Sequence, residues 1–462
     1  MKSLEPIINF PNEIIQEIFS HIAPSDSVLR THSSTSRRFP WVLGHICSKW
    51  RAIFLSMTPQ FWSRISIHYE APHFHQQKVE RIKEMAEFFV NRNRAETISF
   101  DYRILAFTVA SHSAPDDMHP VLELLVEQSM RWESVTILIA QSDLPILRRI
   151  RNRLPLLRKL VISMHEPRLL DASNDMFEDA PLLRDVVLMD TSWKIKWSAL
   201  TTLELRTAEK DSLAILPHVS NLENLSIISI YERTEIEAHG PITLPRLKTL
   251  TIRHEAPSFL DVLEAPELEN LELACEIGNA RTIIGPSGVT YSFGSSSTII
   301  TSFLSRSSCP IHHLTLTVID GESLASILRY TPELESLKLT LRNKYRGLRS
   351  LGSLTAPERS DDAHDASRTI LTRDLKSLTI VAYPSGGHTD DPFLQEEISM
   401  LIDIIKFRTV AVDKNEGTVT RGRLQNLTID MPSSAGFPAQ LISLKSVCTE
   451  VAVTFRYSLV DG

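Results

Sequence analysis

The chain has 462 residues, 42% of them hydrophobic, and a formal net charge of −7; at roughly 150 residues per domain, two or three globular units are expected. The mild acidity, with no basic stripe and no Gly-rich phosphate loop, gives nucleic-acid binding no support. No apolar run approaches the roughly eighteen residues of a membrane span, and Glu5 and Pro6 interrupt the stretch where a signal peptide would be apolar, so a cytoplasmic or nuclear protein is expected.

After a short tail, residues 1–7, the first patterned segment is 8–67. Ile14, Ile15, Ile18, Phe19 and Ile22 fall on one face of a helix, and Leu43, Ile46, Cys47, Trp50 and Phe54 on one face of a second. Some sixty residues build only a marginal core. These faces therefore need cover from the rest of the chain or from another protein. Between the helices, the polar insert Ser25–Arg38 has little to bury and is expected to be disordered in part. Next comes a linker, 68–92, in which Lys78–Val90 is amphipathic with Ile82, Met85, Ala86 and Phe89 on one side; it is expected to join the helical module rigidly to the C-terminal region.

From 93 to 462 one pattern recurs: Pro or a small residue, then Leu-x-x-Leu-x-(Leu/Ile). The clearest copies are Pro155–Ile162, Pro245–Ile252, Pro266–Leu273 and Pro332–Leu339. Taking the second apolar anchor of each copy, positions 135, 160, 186, 203, 225, 250 and 271 are spaced by 17–26 residues, the period of a leucine-rich repeat. Leu250 and Ile252 alternate as a strand requires, Leu247 closes the core three residues earlier, and Pro245 ends the preceding segment because the residue before proline avoids the α region. Short helical patterns such as Ser258–Leu263, Thr298–Leu304 and Ser323–Leu328 lie between the strands. Such units bury their apolar faces only by stacking. The fold class expected is α/β: a small helical module followed by a curved leucine-rich-repeat-like solenoid, parallel strands concave and helices convex. The anchors at 271 and 314, 337 and 378, and 378 and 427 are further apart, so each of these gaps holds either a degenerate repeat or an insertion. Loop insertions are expected near 278–298, 342–373 and 384–392.

The N-terminal segments Phe10-Pro11-Asn12-Glu13-Ile14-Ile15-Gln16-Glu17-Ile18-Phe19, Ile46-Cys47-Ser48-Lys49-Trp50-Arg51 and Pro59-Gln60-Phe61-Trp62 resemble, in order, spacing and residue type, the three pieces of the F-box motif. Phe10 stands for its leading Leu, Ile46 for Val and Phe61 for Leu. With the repeats, the chain is similar to fungal F-box proteins that carry irregular leucine-rich repeats. The resemblance implies a substrate-recognition adaptor of an SCF (cullin-type) E3 ubiquitin ligase. The motif would bind a Skp-type adaptor, and through it a cullin, while the repeats would hold a target protein. It makes Pro11, Ile14, Ile15, Ile18, Phe19, Leu43, Ile46, Cys47, Trp50 and Trp62 candidates for the adaptor contact or for the module's own core, two roles that sequence alone does not separate.

Chemistry of other kinds finds little footing. The four cysteines, Cys47, Cys275, Cys309 and Cys448, form no Cys-x-x-Cys pair or disulfide framework. His73-Phe74-His75 and Cys309-Pro310-Ile311-His312-His313 lack a second pair at zinc-ligand spacing. Gly285-Pro286-Ser287-Gly288 is not a nucleophile elbow. Asp116-Asp117 and Asp390-Asp391 read as solvated turns. No catalytic residue, metal or cofactor is expected, and the protein is expected not to be an enzyme.

The remaining place for function is the outward face of the repeat strands. It carries Lys159, Thr202, Glu204, Arg206, Thr249, Thr251, Arg253, Asn270, Glu272, Ser336 and Lys338; of these Lys159, Glu204, Arg206, Thr251, Arg253, Asn270, Glu272 and Lys338 are the candidate target-binding residues. The alternative is a non-ligase interaction scaffold whose helical module only caps the first strand, Ile65-Ser66-Ile67.

Overall fold

A computed structural model of the chain describes residues 10–22, 27–30, 41–70, 76–93, 96–105, 119–164, 174–189, 193–206, 214–228, 241–253, 257–274, 282–284, 290–292, 296–317, 321–341, 372, 374–382, 399, 401–406, 424–432, 441–451 and 453–460. The expected loop at 384–392, the His73–His75 and Gly285–Gly288 segments, both Asp-Asp pairs and Cys275 lie outside the described residues, as does most of 342–373. The chain forms two compact units, 1–203 and 204–462.

The first unit opens with α1 (Asn12–Ile22), β1 (Ser27–Arg30), a 3-10 turn (Trp41–His45), α2 (Ser48–Leu55) and a second such turn (Pro59–Trp62). Then come β2 (Arg64–Glu70), α3 (Gln76–Arg92), β3 (Ile98–Leu105), α4 (His119–Glu127), β4 (Trp132–Ile139), the one-turn α5 (Leu144–Leu147), β5 (Lys159–Met164) and β6 (Asp185–Leu188). β7 (Thr202–Leu205) crosses the division. Strands β1 to β6 are parallel and neighbour one another in chain order.

The second unit continues the pattern with β8 (Asn224–Ile228), β9 (Ile242–Thr243), β10 (Thr249–Arg253), β11 (Leu263–Glu264) and β12 (Asn270–Ala274). A short antiparallel hairpin, β13 (Thr282–Ile284) with β14 (Thr290–Ser292), precedes α6 (Ser296–Ser307). After it come β15 (His313–Thr317), α7 (Gly321–Arg329), β16 (Ser336–Leu341), β17 (Ser377–Ala382), β18 (Asn426–Pro432), α8 (Leu441–Glu450) and β19 (Thr454–Val460). The parallel order is β8-β10-β12-β15-β16-β17-β18-β19, and β9 pairs separately with β11. The fold class is thus α/β, with the parallel, leucine-rich-repeat-like strands that the sequence periodicity calls for.

The register matches the sequence anchors. Leu225, Leu250, Leu271, Leu314, Leu337, Leu378 and Leu427 form one continuous row across neighbouring strands; in the first unit Ile65, Phe100, Val135, Leu160 and Val186 do the same. Every one of these side chains is buried, and each large apolar residue so enclosed stabilises its unit by roughly 1.5–3 kcal/mol. Shared acceptors add order. At four successive strands the amides of the residue before the strand and of its first residue converge on the carbonyl just ahead of the neighbouring strand: Lys248 and Thr249 on Glu223, Glu269 and Asn270 on Lys248, His312 and His313 on Glu269, Glu335 and Ser336 on His312.

β12 pairs directly with β15, β16 with β17 and β17 with β18, so within the three long gaps no further strand of this sheet stands between the paired neighbours. In the first of these gaps the described residues form the β13–β14 hairpin and α6. Within the insert Ser25–Arg38, residues 27–30 form β1, which lies parallel to β2 with Val28 opposite Ser66 and Leu29 opposite Ile67; the rest of the insert lies outside the described residues. The signal was there in Val28-Leu29, too short to outweigh the polar residues around it.

Candidate functional site

Residues 10–62 fold into a helix pair whose apolar side chains divide into two sets. Ile15 and Phe19 on α1, with Leu43, Ile53, Phe54 and Trp62, point inward and are buried. Trp62 is the cornerstone: its ring lies 4.8 Å from that of Phe54, 5.0 Å from Phe61, and 5.4 and 5.1 Å from Phe88 and Phe89 on α3, all edge-on. Arg92 at the end of α3 covers the Phe88 ring and donates from Nη1 to the carbonyl of Leu55 at 2.7 Å. The helix pair is therefore fastened to the linker helix by aromatic packing and a charged hydrogen bond.

The other set faces outward. Phe10 is 42% exposed, Ile14 47% and Ile46 47%; Pro11 is also exposed, and Ile18, Cys47 and Trp50 are half-buried. Ile14 and Ile18 lie four residues apart on one side of α1, and Phe10 immediately precedes the helix. Trp50 stands edge-on to Phe19 at 5.0 Å, and its Nε1 is enclosed without a hydrogen-bond partner among the described residues. Of the ten sequence candidates, then, Ile15, Phe19, Leu43 and Trp62 are core, while Pro11, Ile14, Ile18, Ile46, Cys47 and Trp50 reach the surface.

The local geometry of α2 is set by its neighbours. The Cys47 Sγ accepts from the Trp50 amide at 3.4 Å and caps the helix. Arg51 Nε donates to the Gly44 carbonyl at 2.7 Å, and Lys49 Nζ donates to the Phe10 carbonyl at 2.7 Å. The last contact joins the entry of α1 to the first turn of α2. Phe10 and Lys49 were visible only as motif positions, because nothing in the spacing tells that a lysine will reach a carbonyl 39 residues away.

The strand candidates are distributed over both units. Lys159 is exposed in the first unit between Ser134 and Asp185. In the second, Glu204 and Arg206 pair with each other at 2.8 Å. Thr251, Arg253, Asn270, Glu272 and Lys338 share one strand face: Thr251 stands opposite Glu272, which reaches Arg253 at 3.5 Å, Asn270 lies 3.4 Å from Thr249 Oγ1, and Lys338 is flanked by Thr315 and Thr379. The row beginning at Asn224 and continuing through Thr249, Asn270, His313, Ser336, Ser377 and Asn426 carries no acid, Lys or Arg.

No family model matches the sequence, and no curated protein matches it. Among solved structures, a chain of the yeast Rad7–Elc1 complex matches with a TM-score of 0.31 and 10% identity, over 98% of this chain and 89% of that one. A likeness that loose carries no argument about function.

Among the described residues, burial is the main cause of the shifted thiols and phenols. Burial pushes the thiols of Cys309 and Cys448 up to about 11, which suppresses the nucleophilic thiolate. Burial also raises the Tyr69 and Tyr102 phenols. For Asp101, burial acts upward, but His68 and Arg103 together outweigh it and hold the carboxyl below its ordinary value. Among the described residues no group of three His, Cys, Asp or Glu side chains is arranged to hold a metal ion, and no helix is long and apolar enough to cross a membrane.

Proposed function

We propose that the protein is a substrate-recognition adaptor of an SCF (cullin-type) ubiquitin ligase, its helix pair binding a Skp-type adaptor and its repeat strands binding a target protein. One observation carries the reading. Within a segment that resembles the F-box, the motif's apolar residues Phe10, Ile14 and Ile46 stand about half exposed, while neighbouring Ile15, Phe19 and Leu43 are used in the core. A folded module does not need those outward residues for itself, and apolar patches of this kind mark interaction sites. On this reading the chain makes no covalent bond and needs no cofactor. The outward strand residues Lys159, Glu204, Arg206, Thr251, Arg253, Asn270, Glu272 and Lys338 belong to the target face. Co-purification of the full chain with a Skp-type adaptor tests it; a chain that stays monodisperse and ignores the adaptor overturns it.

A second reading is favoured by the Trp62 cluster. Because Trp62 is spent on Phe88 and Phe89 of α3, the module also serves as a cap for the first strands, as every solenoid end requires. In the scaffold alternative that is its whole role. Replacing the outward residues would then leave every partner interaction of the chain unchanged.

A further inference from the structure

We propose that Lys49 is a positioning residue for the docking face: its ammonium latches the entry of α1 onto α2, presenting Phe10 and Ile14 in fixed register with Ile46 and Trp50. This rests on the docking reading above.

The latch is a charge-assisted hydrogen bond of 2.7 Å from Lys49 Nζ to the Phe10 carbonyl. Its two ends differ in how firmly they are held. The α2 end is braced twice, by the Cys47 Sγ that accepts from the Trp50 amide and by Arg51 Nε on the Gly44 carbonyl. At the α1 end, Ile15 is anchored in the core and its amide closes the first turn on the Pro11 carbonyl at 3.2 Å, whereas Phe10 precedes the helix and its carbonyl is reached by Lys49. Helix ends open at little free-energy cost. The latch thus transfers rigidity from the braced segment 44–51 to residues 10–14. These two ends carry the outward apolar side chains Phe10 and Ile14 on one side, Ile46 and Trp50 on the other.

Without the ammonium, Phe10 and Ile14 would have to be ordered at the moment of binding. Ordering two side chains on association corresponds to a loss of about tenfold in affinity. The positioning role is distinct from a direct contact, because it acts on the free protein.

The test uses the full chain as Lys49→Met, which keeps the aliphatic stem and removes the donor, and Lys49→Arg, which restores a donor. Binding to a recombinant Skp-type adaptor is measured together with amide hydrogen exchange of the free chain. Lys49→Met should weaken binding about tenfold and speed exchange at residues 15–18, the first amides of α1 with intrahelical acceptors, with the β10 amides unchanged; Lys49→Arg should restore both. Wild-type affinity in Lys49→Met overturns the proposal. So does weaker binding with unchanged exchange, which would make Lys49 a direct contact, and so does failure of Lys49→Arg to restore either quantity. If Ile14→Asp also binds like wild type, it is the docking reading that falls, and the latch with it.

Discussion

Truncating Trp62 separates a core role from a docking role more cleanly than any other substitution. Its side chain is 2% exposed and meets four aromatic rings at 4.8–5.4 Å. Trp→Ala in a packed core costs about 3–5 kcal/mol, and the edge-on ring contacts place this site toward the upper end, each such pair contributing about 0.5–1.5 kcal/mol beyond its buried area. Against a typical total of about 5–15 kcal/mol, Trp62→Ala should release α2 and the end of α3 locally. Hydrogen exchange of the Ile53, Phe54 and Phe89 amides should therefore accelerate by about three orders of magnitude or more, since every 1.4 kcal/mol is a factor of ten, while β10 and β12 in the second unit keep their protection. An acceleration of less than about fivefold would refute the cornerstone role and return Trp62 to the surface set.

Other expectations rest on the same geometry. Leu250→Ala, at a fully buried anchor, should cost about 2–5 kcal/mol in chemical denaturation, whereas Thr251→Ala on the outward face should stay within about 0.5 kcal/mol; equal effects would contradict the inward–outward assignment of β10. The depressed Asp101 carboxyl stabilises the fold above the ordinary carboxylate range, and that contribution is lost as pH falls through its lowered value. Asp101→Asn should flatten the acid limb of a stability-versus-pH curve, and an unchanged limb would count against the His68–Asp101–Arg103 cluster. In the native chain at pH 8, Cys309 and Cys448, with thiols raised to about 11, should alkylate on the order of a hundredfold more slowly than a free cysteine; mass spectrometry showing either as a fast site would contradict their burial.

Much of this architecture is written in the order of residues. The second leucine of each repeat predicts the in-register row because strand alternation and a stacked core leave one solution for Leu225, Leu250, Leu271 and Leu314. The gaps could not be read the same way, since an insertion and a worn repeat have similar composition; the direct pairing of β12 with β15 shows that the strands flanking the first gap are neighbours. β1 escaped because four residues carry too little periodicity to announce a strand. The outward apolar face of the helix pair was half legible. Ile14 and Ile15 are adjacent and chemically identical, yet one is 47% exposed and the other fully buried; a helical face wide enough to hold both has two sides, and which side meets the chain's own core depends on where Trp50 and Leu43 arrive from a segment some thirty residues later.

The central claim is tested most directly by titrating a purified Skp-type adaptor into the full chain, wild type and Ile14→Asp/Ile46→Asp, in a calorimeter. Both replaced side chains are about half exposed, so the variant should unfold at the wild-type temperature within about 2 °C. Burying two carboxylates at a docked interface should weaken binding by at least about a hundredfold. Saturable one-to-one binding by the wild type and none by the variant is the expected result; no heat from the wild type, or equal affinity in both, would contradict adaptor docking through this face.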